Sequence, residues 1–124
     1  MKSASYTAIA LLLFATMATA DEKDQVRKHW FVSGQVQSVG FRAFTYEAAE
    51  DLKLKGWVRN LTDGRVEIVA SGPAQAIGQL LEKVKKGPQF GRVDAVKEAA
   101  VDEKEKLGDK FEIRDSARPP KDAP

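Results

Sequence analysis

The sequence predicts an α+β domain of βαββαβ order, an antiparallel sheet with two helices on one face, closed by a short C-terminal strand. Three observations predict it. Two apolar stripes at helical period alternate with segments of strand character. Turn residues separate them at Gly34, Gly56, Asp63-Gly64, Gly72-Pro73 and Gly87-Pro88. The length, 124 residues, leaves room for one small domain.

The elements follow in order. His29-Trp30-Phe31-Val32-Ser33 is β-rich and ends at Gly34, a first strand. Phe41, Phe44, Ala48 and Leu52 recur along one helix face, with Gly56 as a C-terminal stop. Trp57-Val58-Arg59 is a short second strand whose Trp57 is expected to pack against that helix, and Asp63-Gly64 is a hairpin turn. Val66, Ile68 and Ala70 alternate with Glu67, Val69 and Ser71, a third strand with two unlike faces. Pro73 suits a helix's first turn, and Ile77, Leu80, Leu81 and Val84 repeat at helical spacing up to Gly87-Pro88. Arg92-Val93-Asp94-Ala95-Val96 begins a fourth strand. The charged run from Asp102 to Lys106 reads as a solvated loop, and Phe111 and Ile113 alternate with charged neighbours in a last short strand. This is the ferredoxin-like split βαβ order. Residues 28–115 are assigned to the domain, 21–27 to a polar linker and 116–124, rich in proline, to a disordered tail.

The first twenty residues read differently. Lys2 supplies a positive start, Ala8 to Ala15 an apolar run, and Ala18-Thr19-Ala20 an A-x-A site before the polar Asp21-Glu22-Lys23-Asp24. That is the pattern of a cleaved secretory signal peptide, too short for a bilayer span of about 20 residues. A protein exported to a periplasm or beyond is expected, free of the membrane after cleavage. Without Lys2 the formal charge is nearly balanced, which argues against sequence-independent nucleic-acid binding. The absence of cysteine excludes thiol catalysis, iron–sulfur clusters and thiolate zinc sites. One histidine, His29, reads as an edge or interface residue and gives no basis for a metal site. No cofactor and no metal are expected.

The chemistry lies in Gly34-Gln35-Val36-Gln37-Ser38-Val39-Gly40-Phe41-Arg42. A glycine-bearing loop between a strand and a helix N-terminus leaves backbone N–H groups free to converge on an anion, and the helix dipole adds to the attraction. Arg42 brings a permanent charge and a planar fork that matches phosphate oxygens. A second motif follows the helix, Gly56-Trp57-Val58-Arg59-Asn60-Leu61-Thr62-Asp63-Gly64.

Together, in this order and spacing, the two motifs resemble the acylphosphatase family, whose signature is G-x-V-Q-G-V-x-F-R followed by G-W-V-x-N. The resemblance spans nearly all of Trp30 to Arg114. It implies hydrolysis of the carboxyl–phosphate bond of acyl phosphates, small-molecule substrates; the fold and size fit a monomer. It implies that Arg42 holds the phosphate oxygens and that Asn60 orients the attacking water. It implies that backbone N–H groups from Gln37 through Ser38, Val39, Gly40 and Phe41 wrap the phosphate, in a loop opened by Gly34, whose lack of a Cβ lets the chain approach the ligand. Two positions depart from the pattern. Ser38 stands where the family has glycine, at a cost of roughly 1–2 kcal/mol if φ there is positive. Leu61 stands where animal members have threonine, leaving Thr62 to support Asn60.

Two other readings compete. One is a non-catalytic module of the same fold that binds an anion or a polypeptide, motivated by Ser38 and the expected export. The other is an RNA-binding module, which would stack bases on strand aromatics; the third strand, Arg65 to Ser71, has none.

Overall fold

A computed structural model describes residues 24–124. The expected signal peptide and the start of the expected linker lie outside the described residues. Seven elements follow one another: β1 (Gln25–Gln35), α1 (Phe41–Asp51), β2 (Lys55–Asn60), β3 (Val66–Pro73), α2 (Ala74–Lys86), β4 (Arg92–Ala99) and β5 (Phe111–Ile113). They form one five-stranded sheet of order β4-β1-β3-β2-β5. The first four strands pair antiparallel, as expected, while β5 pairs parallel to β2, so the sheet is mixed at that edge.

Both helices cover one face. Trp30 and Val32 of β1, Val58 of β2, and Val66, Ile68 and Ala70 of β3 point into a core shared with Phe41, Ala48, Ala49, Ile77, Leu80, Val84 and Phe111. Burying a side chain of this size contributes about 1.5–3 kcal/mol each, which supplies the cohesion that a cysteine-free chain needs.

Several boundaries differ from the sequence expectation. β1 begins at Gln25, so residues 25–27 belong to the sheet rather than to a linker: Gln25 lies opposite Pro73. The buried face of α1 is Phe41, Thr45, Ala48 and Ala49, with Phe44 and Leu52 at its margins. Gly56 does not stop α1. The helix ends in a Schellman turn, with Leu54 N donating to Ala49 O and Lys53 N to Glu50 O. Lys53 takes the left-handed position, φ 56°, where glycine is usual. Gly56 lies in β2, where a Cβ would run into the carbonyl oxygen of Val69.

The second face of the sheet is covered too. Glu67, at 1% exposure, and Val69 are as buried as the core-facing residues of β3. Their cover is the β4–β5 connection and the C-terminal segment. Arg27 Nη1 donates to the carbonyls of Asp102 and Glu105, which fastens the charged run to the sheet. The tail expected to be disordered is placed instead: Ala117 pairs with Leu61, and Arg65 Nη1 donates to the carbonyl of Pro124 at 2.6 Å. Trp57 faces this side, away from the helices. Its indole donates to Glu105 Oε2, and Arg59 and Arg114 each lie 4.6 Å from its ring centroid.

Candidate active site

β1 breaks its register with β4 between Ser33 and Gly34. Gly34 has φ 128°, and a Cβ there would collide with the carbonyl oxygen of Arg92. Its role is close passage of the β4 backbone, not approach to a ligand as the sequence suggested. The chain then turns through Val36 to Gly40 and enters α1. Ser38 (φ 62°) and Gly40 (φ 77°) both adopt the left-handed conformation. The positive φ anticipated at Ser38 is therefore present, and a serine occupies it.

No side chain caps α1 at Gly40, and no acidic residue lies in its first turn. The first backbone bond of the helix is Phe44 N to Gly40 O. Among the described residues, the backbone N–H groups from Gln37 through Ala43 have no acceptor. Seven consecutive donors at a helix N-terminus, with no carboxylate to neutralise them, make an electropositive cradle.

A cleft of ≈ 280 Å³ opens over this turn, lined by Val36, Ser38, Gly40, Phe41, Arg42, Ala43, Asn60 and Ile113. Arg42 enters from the first turn of α1. Among the described residues it has neither an ion-pair nor a hydrogen-bond partner. Asn60 enters from the last position of β2, and its Oδ1 is buried with no hydrogen-bond partner among the described residues. A buried carbonyl oxygen left unpaired costs about 1–3 kcal/mol, and such groups concentrate where a ligand supplies the partner.

The expected site residues divide accordingly. Ser38, Gly40, Phe41, Arg42 and Asn60 share the cleft. Val39 turns toward the core instead. Gln37 acts through its side chain, whose Nε2 donates at 2.8 Å to both Leu61 O and Arg65 O. That amide fastens the cradle loop to the turn carrying Asn60. The turn is further closed by Gly64 N to Leu61 O, Leu61 N to Arg65 O, and Asp63, whose carboxylate accepts from the Arg65 backbone and guanidinium. The Arg65 hydrogen bond holds the Asp63 carboxyl below its ordinary range. Leu61 is a core residue at 1% exposure, and Thr62 is exposed and leaves Asn60 Oδ1 without a donor, so it does not replace the family threonine.

Residues 28–113 match the family model described as acylphosphatase. The chain belongs to the acylphosphatase family. The acylphosphatase of Koribacter versatilis (strain Ellin345) is 51% identical over 79 residues, 64% of this chain and 71% of the relative. That of Natronomonas pharaonis is 45% identical over 91 residues, 73% of this chain and 97% of the relative. The solved structure of an acylphosphatase from Coxiella burnetii superposes with a TM-score of 0.66 at 38% identity, covering 76% of this chain and 97% of that one.

This acylphosphatase-family chain carries a second polar cluster on the opposite sheet face, which its sequence did not disclose. Glu67 accepts from His29 Nε2 at 2.7 Å and from Arg59 Nε at 2.7 Å. His29 Nδ1 lies 3.0 Å from the carbonyl of Ala100. Both imidazole nitrogens thus face acceptors, which only the doubly protonated ring can satisfy. His29 is not an edge residue; β1 lies between β3 and β4. The Glu67 hydrogen bond raises its pKa above the ordinary 6.5 against the opposing effect of burial. Burial pushes Glu67 up, but His29 and Arg59 outweigh it and leave the carboxyl below 4.5. Every charge in this cluster is answered within the protein, which marks it as structural. The only sequence signal was parity: His29, Arg59 and Glu67 occupy same-face positions, with an acid inside an apolar run.

The cluster predicts a pH dependence. A raised histidine pKa contributes stability that is complete below the unfolded value and lost as pH rises through the folded one. Wild-type urea midpoints are expected to fall from pH 6 toward pH 9. In His29→Phe that alkaline decline should disappear, while a separate acid limb remains, because Glu67's stabilisation is lost only as pH falls through its depressed pKa. Equal alkaline slopes in both proteins would sink this account.

Proposed function

We propose that this protein hydrolyses the carboxyl–phosphate anhydride of acyl phosphates to a carboxylate and inorganic phosphate, and that one cleft does so with two side chains and a run of backbone donors. The observation that carries the reading is the meeting, in one cleft, of Arg42, the cradle turn and Asn60, whose guanidinium, N–H groups and buried amide oxygen have no partner among the described residues.

The chemistry asks little else. A carboxylate is a good leaving group and departs without a proton, so no general acid is required. Phosphoryl transfer proceeds mainly by positioning and charge stabilisation. The N–H groups of the cradle and the Arg42 fork hold the three equatorial oxygens as charge spreads over them. Asn60 Oδ1 accepts a hydrogen bond from water and aims its oxygen at phosphorus, in line with the bond to the acyl oxygen. The water oxygen becomes the fourth phosphate oxygen, the anhydride electrons leave on the carboxylate, and the surplus proton passes to phosphate or solvent. Among the described residues no group of three His, Cys, Asp or Glu is arranged to hold a metal. The test is benzoyl phosphate hydrolysis in EDTA. Turnover supports the reading; phosphate binding without turnover would leave a non-catalytic anion-binding module.

Ser38 gives a subsidiary expectation. Relieving a left-handed serine is worth roughly 1 kcal/mol, so Ser38→Gly should melt about 4–8 °C higher in a domain of this size. Its hydroxyl has no hydrogen-bond partner among the described residues, and activity should stay within a few-fold. A lower melting temperature would contradict the strain argument.

Export also belongs to this proposal and rests on residues 1–20. A mature N-terminus at Asp21 in the extracytoplasmic fraction would support it, and a full-length cytoplasmic chain would refute it. The acting species is taken to be the monomer, which light scattering on the purified protein checks.

A further inference from the structure

We propose that the segment after β5 positions the Asn60 amide, with Ala117 as the residue that pins it; this rests on the acyl-phosphate reading and extends it. β5 runs parallel to β2 with Val58 opposite Ile113, and Arg114 N donates to Val58 O at 2.9 Å. From there β2 advances three residues, to Leu61, while its neighbour advances four, to Ala117, before the two pair again. At that point Ala117 N donates to Asn60 O at 3.1 Å, and Thr62 N donates to Ala117 O at 2.9 Å.

The location matters because Asn60 is the last residue of β2. Strand ends fray, and among the described residues the backbone groups on the outer edge of β2 pair only with β5 and this segment. On its inner side Asn60 pairs with Val66. Ala117 closes the outer side, and the Gln37 amide secures the following carbonyl at Leu61. Among the described residues no donor holds the Asn60 Oδ1, so its position follows from the backbone that carries it and two side-chain torsions. A displacement of about 1 Å in such a group commonly costs up to 10²-fold in rate. The family match ends at residue 113, four residues before Ala117, so the pin lies beyond the matched region. Ala117 does not line the cleft and is a positioning residue.

Ala117→Pro removes the donor to Asn60 O and keeps the carbonyl. Because proline can disturb its surroundings, the full-length chain shortened after Ser116 is the second variant, and one shortened after Arg118, which retains Ala117, is the control. kcat and inhibition by inorganic phosphate are measured with the ¹⁵N–¹H signals of the Asn60 side-chain NH₂. The first two variants should lose about tenfold in kcat with phosphate inhibition within about twofold, and their Asn60 signals should shift or broaden. The control loses the Arg65–Pro124 hydrogen bond and melts lower, but should keep the wild-type kcat and Asn60 signals. Unchanged kcat and unchanged Asn60 signals would overturn the proposal. So would parallel losses of kcat and phosphate affinity that track a lower melting temperature. If the wild type hydrolyses no acyl phosphate, the acyl-phosphate reading fails, and the Asn60 signals alone then decide whether Ala117 sets that amide.

Discussion

Arg42→Ala is expected to lower kcat/KM for benzoyl phosphate by about 10³-fold and to leave the fold intact. Removing one preorganised donor from developing charge costs about 2.7–4 kcal/mol, and a charged bidentate donor lies at the upper end. Both kcat and KM should suffer, since the guanidinium meets the phosphate in the ground state as well as the transition state. The fold should not, because Arg42 has no ion pair or hydrogen bond to lose among the described residues. Its cleft walls come from α1, β2 and β5, which pack through other residues. Arg42→Lys restores the charge without the fork, and partial recovery is expected, because an ammonium contacts phosphate as a point charge. The decisive comparison is kinetics beside thermal melting. Near-normal kcat/KM in Arg42→Ala would remove the arginine from the reaction. Activity loss matched by a collapsed melting temperature would assign it to the fold.

Asn60→Ala is expected to separate activity from stability in opposite directions. kcat should fall by about 10²–10³-fold, the usual effect of losing one oriented polar group, while KM changes little, because the amide aligns water chiefly in the transition state. Stability should hold or rise. The Asn60 Oδ1 is buried without a donor among the described residues, and deleting an unsatisfied buried acceptor removes a desolvation penalty of about 1–3 kcal/mol rather than a bond. The strand pairing of Asn60 uses its backbone and survives the substitution. A melting temperature at or above wild type with a lost kcat is the expected signature of a group retained for reaction at the expense of stability. Full activity in Asn60→Ala would overturn the water-orienting role. A sharp fall in stability would show that the amide is bonded within the fold after all.

The cleft was legible because its parts are local. Arg42 is fixed to the cradle by two residues of chain, and strand, loop and helix follow one another without a break. Asn60 required one long-range step, the hairpin return of β2 beside β1's neighbour β3, and the family motifs supplied it. What was misread depended on which way a strand faces. Trp57 was expected to meet the helices, yet period-two alternation assigns a face only when one side is polar. In β2, Trp57 and Val58 put a large apolar residue on each face, so parity alone left the choice open. The same gap hid His29, 38 residues from Glu67 in the chain, and made a paired central histidine look like an edge residue. Gly34 and Gly56 were assigned to a ligand and a helix stop, when each admits a neighbouring strand's carbonyl oxygen, a contact that exists only after pairing.

By itself, the sequence determined the order of elements, the helix stripes, the cradle with its arginine and the asparagine motif, because these are encoded in spacings of a few residues and in the intrinsic preferences of glycine, proline and apolar side chains. The tertiary structure alone decided the parallel β5, the covered second face, the His29–Glu67–Arg59 cluster, the Gln37 latch and the Ala117 pin. Each of these is a pairing between residues far apart in the chain, and its energy appears only when sheet register brings a donor within reach of its acceptor.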